Sequence, residues 1–239
     1  MRLANLNTTS KTSHPCHRHL LCPRPPLRRL RRLRLLASLV VTLGLVSPVQ
    51  AQELTFRVWA GDREIGSHRF EVSQQGDQAT VLSKAFYNVK VMFINVFKYE
   101  HTAAEHWQGN CLSSLQSDTV ENGEKTRVDG QLREGVFAVE RNGQTLEPAS
   151  DCVATYAYWD PARLQRTTLM NAQTGEVADV EYRDLGERPI PRLDQTANAV
   201  EISSASSDIQ LWYSDEGQWI ALQTQADGQP IVYLSESLL

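Results

Sequence analysis

From Leu54 onward, apolar and polar positions alternate in short runs. Leu54, Phe56, Val58 and Ala60 fall on one side of an extended chain, with Thr55, Arg57 and Trp59 on the other. Phe70 and Val72 alternate in the same way with Arg69, Glu71 and Ser73. A period of two marks a half-buried β-strand, because successive side chains point to opposite faces. Turn-forming groups punctuate the runs at Gly61-Asp62, Gln75-Gly76-Asp77, Asn122-Gly123, Asn142-Gly143, Asp215-Glu216-Gly217 and Asp227-Gly228. Asn-Gly is the strongest of these signals, since both central residues of a tight hairpin turn need positive φ. Ile209–Tyr213 and Gln218–Leu222 flank one turn and predict another hairpin.

Val89–Phe97 breaks the alternation: it is mostly apolar on both strand faces. This predicts a strand covered on both sides, by a helix or a curled sheet. One helix is signalled. Asp160 suits an N-cap and Pro161 the first helical position, where its missing N–H is not needed. That helix is expected from Pro161 to about Leu169, with Leu164, Tyr156, Tyr158 and Trp159 available to pack on the sheet. The expected fold is therefore mainly β: an antiparallel, curled sheet or open barrel-like domain with one or two short helices.

Charge divides the chain in two. Nine of the 24 basic residues and none of the 28 acidic ones fall in the first 51 positions, so residues 52–239 carry 15 basic against 28 acidic residues, a balance of −13. An acidic body disfavours nucleic acid as a partner. The basic segment runs from Pro15 to Arg34, and a predominantly apolar run twelve residues long follows from Leu35 to Val46. About 20 are needed to cross a bilayer as a helix. Val49 and Ala51 then sit at small-residue positions before a cleavage site. The pattern predicts a secretory signal peptide over residues 1–51, cut after Ala51, and a single β-rich domain over 52–239. A membrane anchor, an RNA-binding arm and a mitochondrial transit peptide fit the order of segments less well. Arg28-Arg29 and Arg31-Arg32 also allow a twin-arginine route. Cys16 and Cys22 precede the apolar run, so no lipid anchor at the cut is indicated. The mature protein is expected to be soluble, periplasmic or secreted, with no stable membrane anchor.

Export changes the reading of the cysteines. Cys111 and Cys152 remain after cleavage, and an even count in an oxidising compartment favours a disulfide over two unrelated buried thiols.

Candidate chemistry is sparse. His101, Glu105 and His106 offer metal-ligating groups, but the spacing is one residue longer than the inverted zinc-protease pattern, and His68 is the only other histidine after residue 51. The plainer reading is a cluster at a strand edge. No Gly-x-Ser-x-Gly elbow, phosphate-binding loop or dinucleotide fingerprint occurs, and no cofactor is indicated. Ser67 and His68 are adjacent in a strand and point to opposite faces, so they cannot pair as nucleophile and base. Aromatic residues could instead line a site for a small apolar or amphipathic ligand, and Tyr99, His101, Tyr158, Trp159 and Trp212 are the candidates. The plainer alternative is that they fill an ordinary core.

Val89–His101, then Glu105-His106-Trp107 and Cys111–Leu115, resemble a segment of an uncharacterised exported bacterial family, domain of unknown function 6134. Trp159-Asp160-Pro161, Leu169–Gly175, Leu211-Trp212-Tyr213 and Gly217-Gln218-Trp219 continue the resemblance, which covers about Leu54 to Leu234. The family carries no established activity, so the resemblance transfers no active residues. It implies a β-rich, open-barrel-like domain similar to lipoprotein carriers of the cell envelope. The leading expectation is a non-catalytic periplasmic binding or envelope-maintenance protein. An enzyme using the His101/Glu105/His106 region, or an interaction module for an envelope partner of unknown identity, are the alternatives.

Overall fold

In the computed structural model, residues 49–91, 94–147, 150–226 and 228–239 are described, with the backbone alone at 90, 91, 94 and 95. The leader up to residue 48 lies outside them. Fourteen strands run in order: β1 Gln50–Ala60, β2 Arg63–Gln75, β3 Gln78–Val91, β4 Ile94–Gln108, β5 Cys111–Glu121, β6 Glu124–Arg133, β7 Val136–Arg141 and β8 Gln144–Thr145, then β9 Thr168–Met170, β10 Val177–Pro189, β11 Thr196–Ser204, β12 Asp208–Tyr213, β13 Trp219–Ala226 and β14 Gln229–Ser235. One α-helical turn, α1 (Pro161–Leu164), precedes β9, and a 3-10 turn, Glu236–Leu238, closes the chain.

All fourteen strands form one antiparallel sheet in the order β8 to β1, then β14 to β9. Each half is a meander of hairpins, and the first and last strands join the halves, with Phe56 opposite Ser235 and Ala60 opposite Ile231. The sheet does not close: β8 and β9 are its edges. It is nonetheless curled, because Phe137 of β7 and Ile202 of β11, near opposite edges, share one buried core with Phe56, Trp107, Leu115 and Trp219. The mainly β, open barrel-like architecture with two short helical turns is thus present.

The hairpin chemistry follows the sequence. Asn122 and Asn142 take φ of 50° and 52°, and Gly123 and Gly143 take 91° and 77°, as the tight turn requires. Gly130 has a different reason to lack a side chain. A Cβ there would lie 2.6 Å from the Phe137 ring, which is fully buried. Gly130→Ala should therefore cost about 1–3 kcal/mol by overpacking. Urea unfolding of the variant checks this, and unchanged stability would show that the ring moves freely.

Two expectations are corrected. Val89–Phe97 is not one strand covered on both sides. It spans the end of β3 and the start of β4, paired back on itself with Val89 opposite Phe97 and Val91 opposite Ile94. The helix ends at Leu164, because Gln165 leaves helical geometry at ψ 68°. The next residues extend as β9, placing Leu169 and Met170 in the core.

Between the two edges, residues 150–160 of the connector from β8 to β9 run over the inner face of the sheet. Val153, Ala154 and Ala157 are buried there. Leu112 donates its N–H to Val153 O at 2.8 Å, and Met170 donates to Ala154 O at 2.8 Å. Cys152 is bonded to Cys111 at the start of β5. Arg163 is the second fastening. It is buried between the rings of Trp107 and Trp159, 4.9 and 4.8 Å from their centres, and its Nε donates to Asp160 at 2.8 Å. The inner face is therefore packed largely by the protein's own connector.

A second core lies on the other face. Trp59, Ile190, Trp212, Ile220 and Val232 bury one another there, with Leu193 and Leu238 packed against them.

Candidate functional site

The inner face of β4 carries Tyr99, His101, Ala103, Glu105 and Trp107, all buried. His106, one residue further on, faces outward and shares a hydrogen bond with Thr80 Oγ1 at 3.1 Å. Strand alternation therefore splits the His101/Glu105/His106 group across two faces. Among the described residues, no three His, Cys, Asp or Glu side chains are grouped to hold a metal ion.

Two imidazoles lie inside the curl. His101 Nδ1 shares a hydrogen bond with Thr119 Oγ1 at 2.9 Å. His68 Nδ1 meets Tyr87 Oη at 3.4 Å, and Tyr87 Oη meets Tyr233 Oη at 2.6 Å. His68 stacks on Phe70, and its Nε2 has no partner among the described residues. Burial disfavours the imidazolium, so the His68 pKa falls to about 3, helped by repulsion from His101. Burial also lowers His101 to about 4, with Asp118 opposing. Both rings are neutral across the physiological range.

Glu105 is the buried carboxyl of the group. It accepts from Thr155 Oγ1 at 2.9 Å and from Trp107 Nε1 at 3.0 Å. Burial pushes its pKa up to about 6, against those two hydrogen bonds and the Arg163 charge. Its partners bind the connector to β4, so its role here is positional. Burial also holds Tyr87 and Tyr213 protonated, raising their pKa values well above the ordinary phenol range.

The five aromatic and histidine candidates do not converge. Tyr99 and His101 lie on the inner face, 6.2 Å apart by ring centres. Tyr158 contacts the Trp219 ring at 5.3 Å, and its carbonyl accepts from Tyr213 Oη at 2.9 Å. Trp159 is committed to Arg163. Trp212 belongs to the second core, on the opposite face of the sheet.

An opening with apolar walls lies elsewhere, at the seam between the sheet edges. Leu146, Val153 and Ala154 of the connector face Met170 and Val177 across a cavity of about 540 Å³, with Glu147 and Glu176 at its margin. Glu176 is held by Arg141 at 2.7 Å. The lining comes from three separate stretches of sequence, none with a recognisable motif. A larger share of polar groups lines a groove on the outer face, among them His106, Gln116, Asp129, Arg133 and Glu140. These stand on a solvated sheet surface.

The model of the family described as "Domain of unknown function (DUF6134)" matches residues 56–236, from the middle of β1 to the end of β14. The chain belongs to the DUF6134 family. The match takes in both edges of the sheet, the connector and the seam, so these are all parts of the DUF6134 domain. No curated protein sequence matches. Among solved structures, a beta-barrel-like protein of domain of unknown function DUF1849 from Brucella abortus is similar at a TM-score of 0.58 and 11% identity. The likeness covers 80% of this chain and 97% of that one. At that identity it speaks to the fold, and a barrel-like fold is what the DUF6134 chain has.

Proposed function

We propose that this DUF6134 protein is a non-catalytic binding protein that works outside the cytosol and holds a small apolar or amphipathic molecule in the seam cleft. The observation that carries the reading is the cleft itself. About 540 Å³ falls in the range of small-molecule sites, and its walls combine apolar side chains with a few polar groups at the margin. The interior of the curl suits a guest less well, because Val153, Ala154, Ala157 and Leu164 already pack it. Export is supported by the leader and by the position of the expected cut. Cleavage after Ala51 would remove only exposed residues from the start of β1 and leave buried Leu54 and Phe56 in place.

The margin carboxylates favour an uncharged or cationic guest over an anionic one. N-phenylnaphthylamine, an uncharged fluorescent probe, should bind the purified protein one to one. Val177, 48% exposed at the rim, can be enlarged without touching the core. Val177→Trp should weaken probe binding roughly tenfold, about 1.4 kcal/mol, by filling the mouth. Equal binding by the variant would reject the cleft. Native mass spectrometry of protein taken from its producing cells would identify a bound molecule, and N-terminal sequencing should begin at Gln52.

A further inference from the structure

We infer that the Cys111–Cys152 bond is a thiol–disulfide exchange site for a dithiol reductant, with Cys152 as the sulfur released as thiolate. Arg166, just after α1, sets the pair apart. Its Nη2 donates to Cys152 Sγ at 3.4 Å, and its Nη1 donates to Cys152 O at 3.1 Å. Nη2 also donates to Asn110 O, in the turn that leads into Cys111. The contact is one-sided: among the described residues no guanidinium or ammonium donates to Cys111 Sγ. A guanidinium against one sulfur favours the thiolate there, and the more stable thiolate leaves faster when the bond is attacked. Arg163, whose charge also reaches Arg166, is paired with Asp160 at 2.8 Å. Asp151, next to Cys152 in the chain, is exposed, so solvent screens its opposing charge.

Both cysteines are partly exposed, so an external thiolate can reach the bond. The two chains also stay together once it is broken. The Leu112–Val153 backbone bond joins the residues that follow the two cysteines. Arg166 ties Cys152 to the turn before Cys111, and Arg163 donates to Gly109 O in the same turn. The separated sulfurs therefore remain neighbours. A monothiol attached to Cys111 would be expelled again by Cys152, which is held at high effective concentration. A dithiol completes the exchange because it carries its own second thiol. Its first thiolate attacks Cys111 Sγ, the Cys111–Cys152 bond breaks, and Cys152 departs as a thiolate beside Arg166. The second thiol loses its proton and attacks the dithiol's own sulfur in the mixed disulfide. Cys111 then leaves and takes up a proton. Two electrons pass from the dithiol, now a cyclic disulfide, to the cysteine pair.

Thiol labelling with peptide mapping tests this on the protein as isolated from its producing cells. At neutral pH without denaturant, dithiothreitol should make both Cys111 and Cys152 reactive while the circular dichroism stays unchanged. Glutathione at the same thiol concentration should leave most of the bond intact. Iodoacetamide rates against pH then compare the two thiols singly. Cys152 in Cys111→Ala should titrate about one unit or more below Cys111 in Cys152→Ala. Adding Arg166→Gln to Cys111→Ala should abolish that difference. Arg166→Lys keeps the charge while losing the same paired carbonyl bonds, and should retain most of it. In the chain with both cysteines, Arg166→Gln should slow reduction by dithiothreitol about threefold or more. Reduction that requires urea, equal reduction by both reagents, or coincident titrations of the two thiols would overturn the inference. So would an Arg166→Gln titration like that of its parent. The inference does not depend on the seam cleft. Val177→Trp should leave the thiol titrations unchanged, so the two readings can fail separately.

Discussion

Acidification from about pH 7.5 to about pH 4 is expected to lower the stability of the domain by about 4 kcal/mol. The two buried histidines drive the loss. Each has a folded pKa below its unfolded value near 6.5: about 3 for His68 and about 4 for His101. The unfolded chain takes up these protons first, so the stability they confer is complete above pH 6.5 and drains away as pH falls toward 4. Together they cost about 6 kcal/mol over that interval. Glu105 acts in the opposite direction. Its folded pKa, about 6, lies above its unfolded value near 4.5, so its penalty is present at neutral pH and relieved on acidification, which returns about 2 kcal/mol. Urea unfolding across this range measures the balance. His68→Phe keeps an aromatic ring against Phe70 and removes the larger titration, so it should flatten the profile by about three quarters, leaving a fall of about 1 kcal/mol. A wild-type profile that does not fall below pH 6.5 would mean that the imidazoles are solvated.

Loss of the Cys111–Cys152 bond is the second large effect. The bond spans a sequence separation of 41 residues, for which chain entropy predicts about 4 kcal/mol. For a domain of this length that corresponds to a fall in Tm of roughly 10 °C. The loss concentrates on the connector, whose other fastenings include backbone bonds to Leu112 and Met170, Arg163, and the Thr155 bond to Glu105. Cys111→Ala with Cys152→Ala should therefore melt earlier and expose the Trp107–Trp159 pair to quencher before global unfolding. The oxidised protein lacking residues 1–51 should offer no free thiol on denaturation. Two labelled thiols per chain, or a double variant as stable as the parent, would contradict this.

Much of the fold was legible because strand alternation and turn chemistry are local. Leu54, Phe56 and Val58 are buried as the period of two requires, and Asn122-Gly123 and Asn142-Gly143 form the turns they signal. The β12–β13 hairpin pairs Leu211 with Leu222 and Trp212 with Ala221. The errors are non-local. Trp59 and Trp212 read as residues of a solvated or ligand-facing surface. Their true cover is the far end of the β10–β11 hairpin, including Ile190, which is remote in sequence. Val89–Phe97 read as a buried strand because this mostly apolar run contains no Gly, Pro or Asn-Gly pair to mark a reversal. The separation of His101 and Glu105 from His106 follows from strand geometry alone once the segment is placed on β4. The seam cleft had no sequence signal, since its walls meet only when the two sheet edges approach.

The pairing of β1 with β14 bears on how the molecule is made. Strands β1 to β8 can zip together as they leave the ribosome, yet Phe56 and Trp59 lack their final neighbours until the last of the fourteen strands has been synthesised. Completion of the native state is thereby postponed to the end of translation.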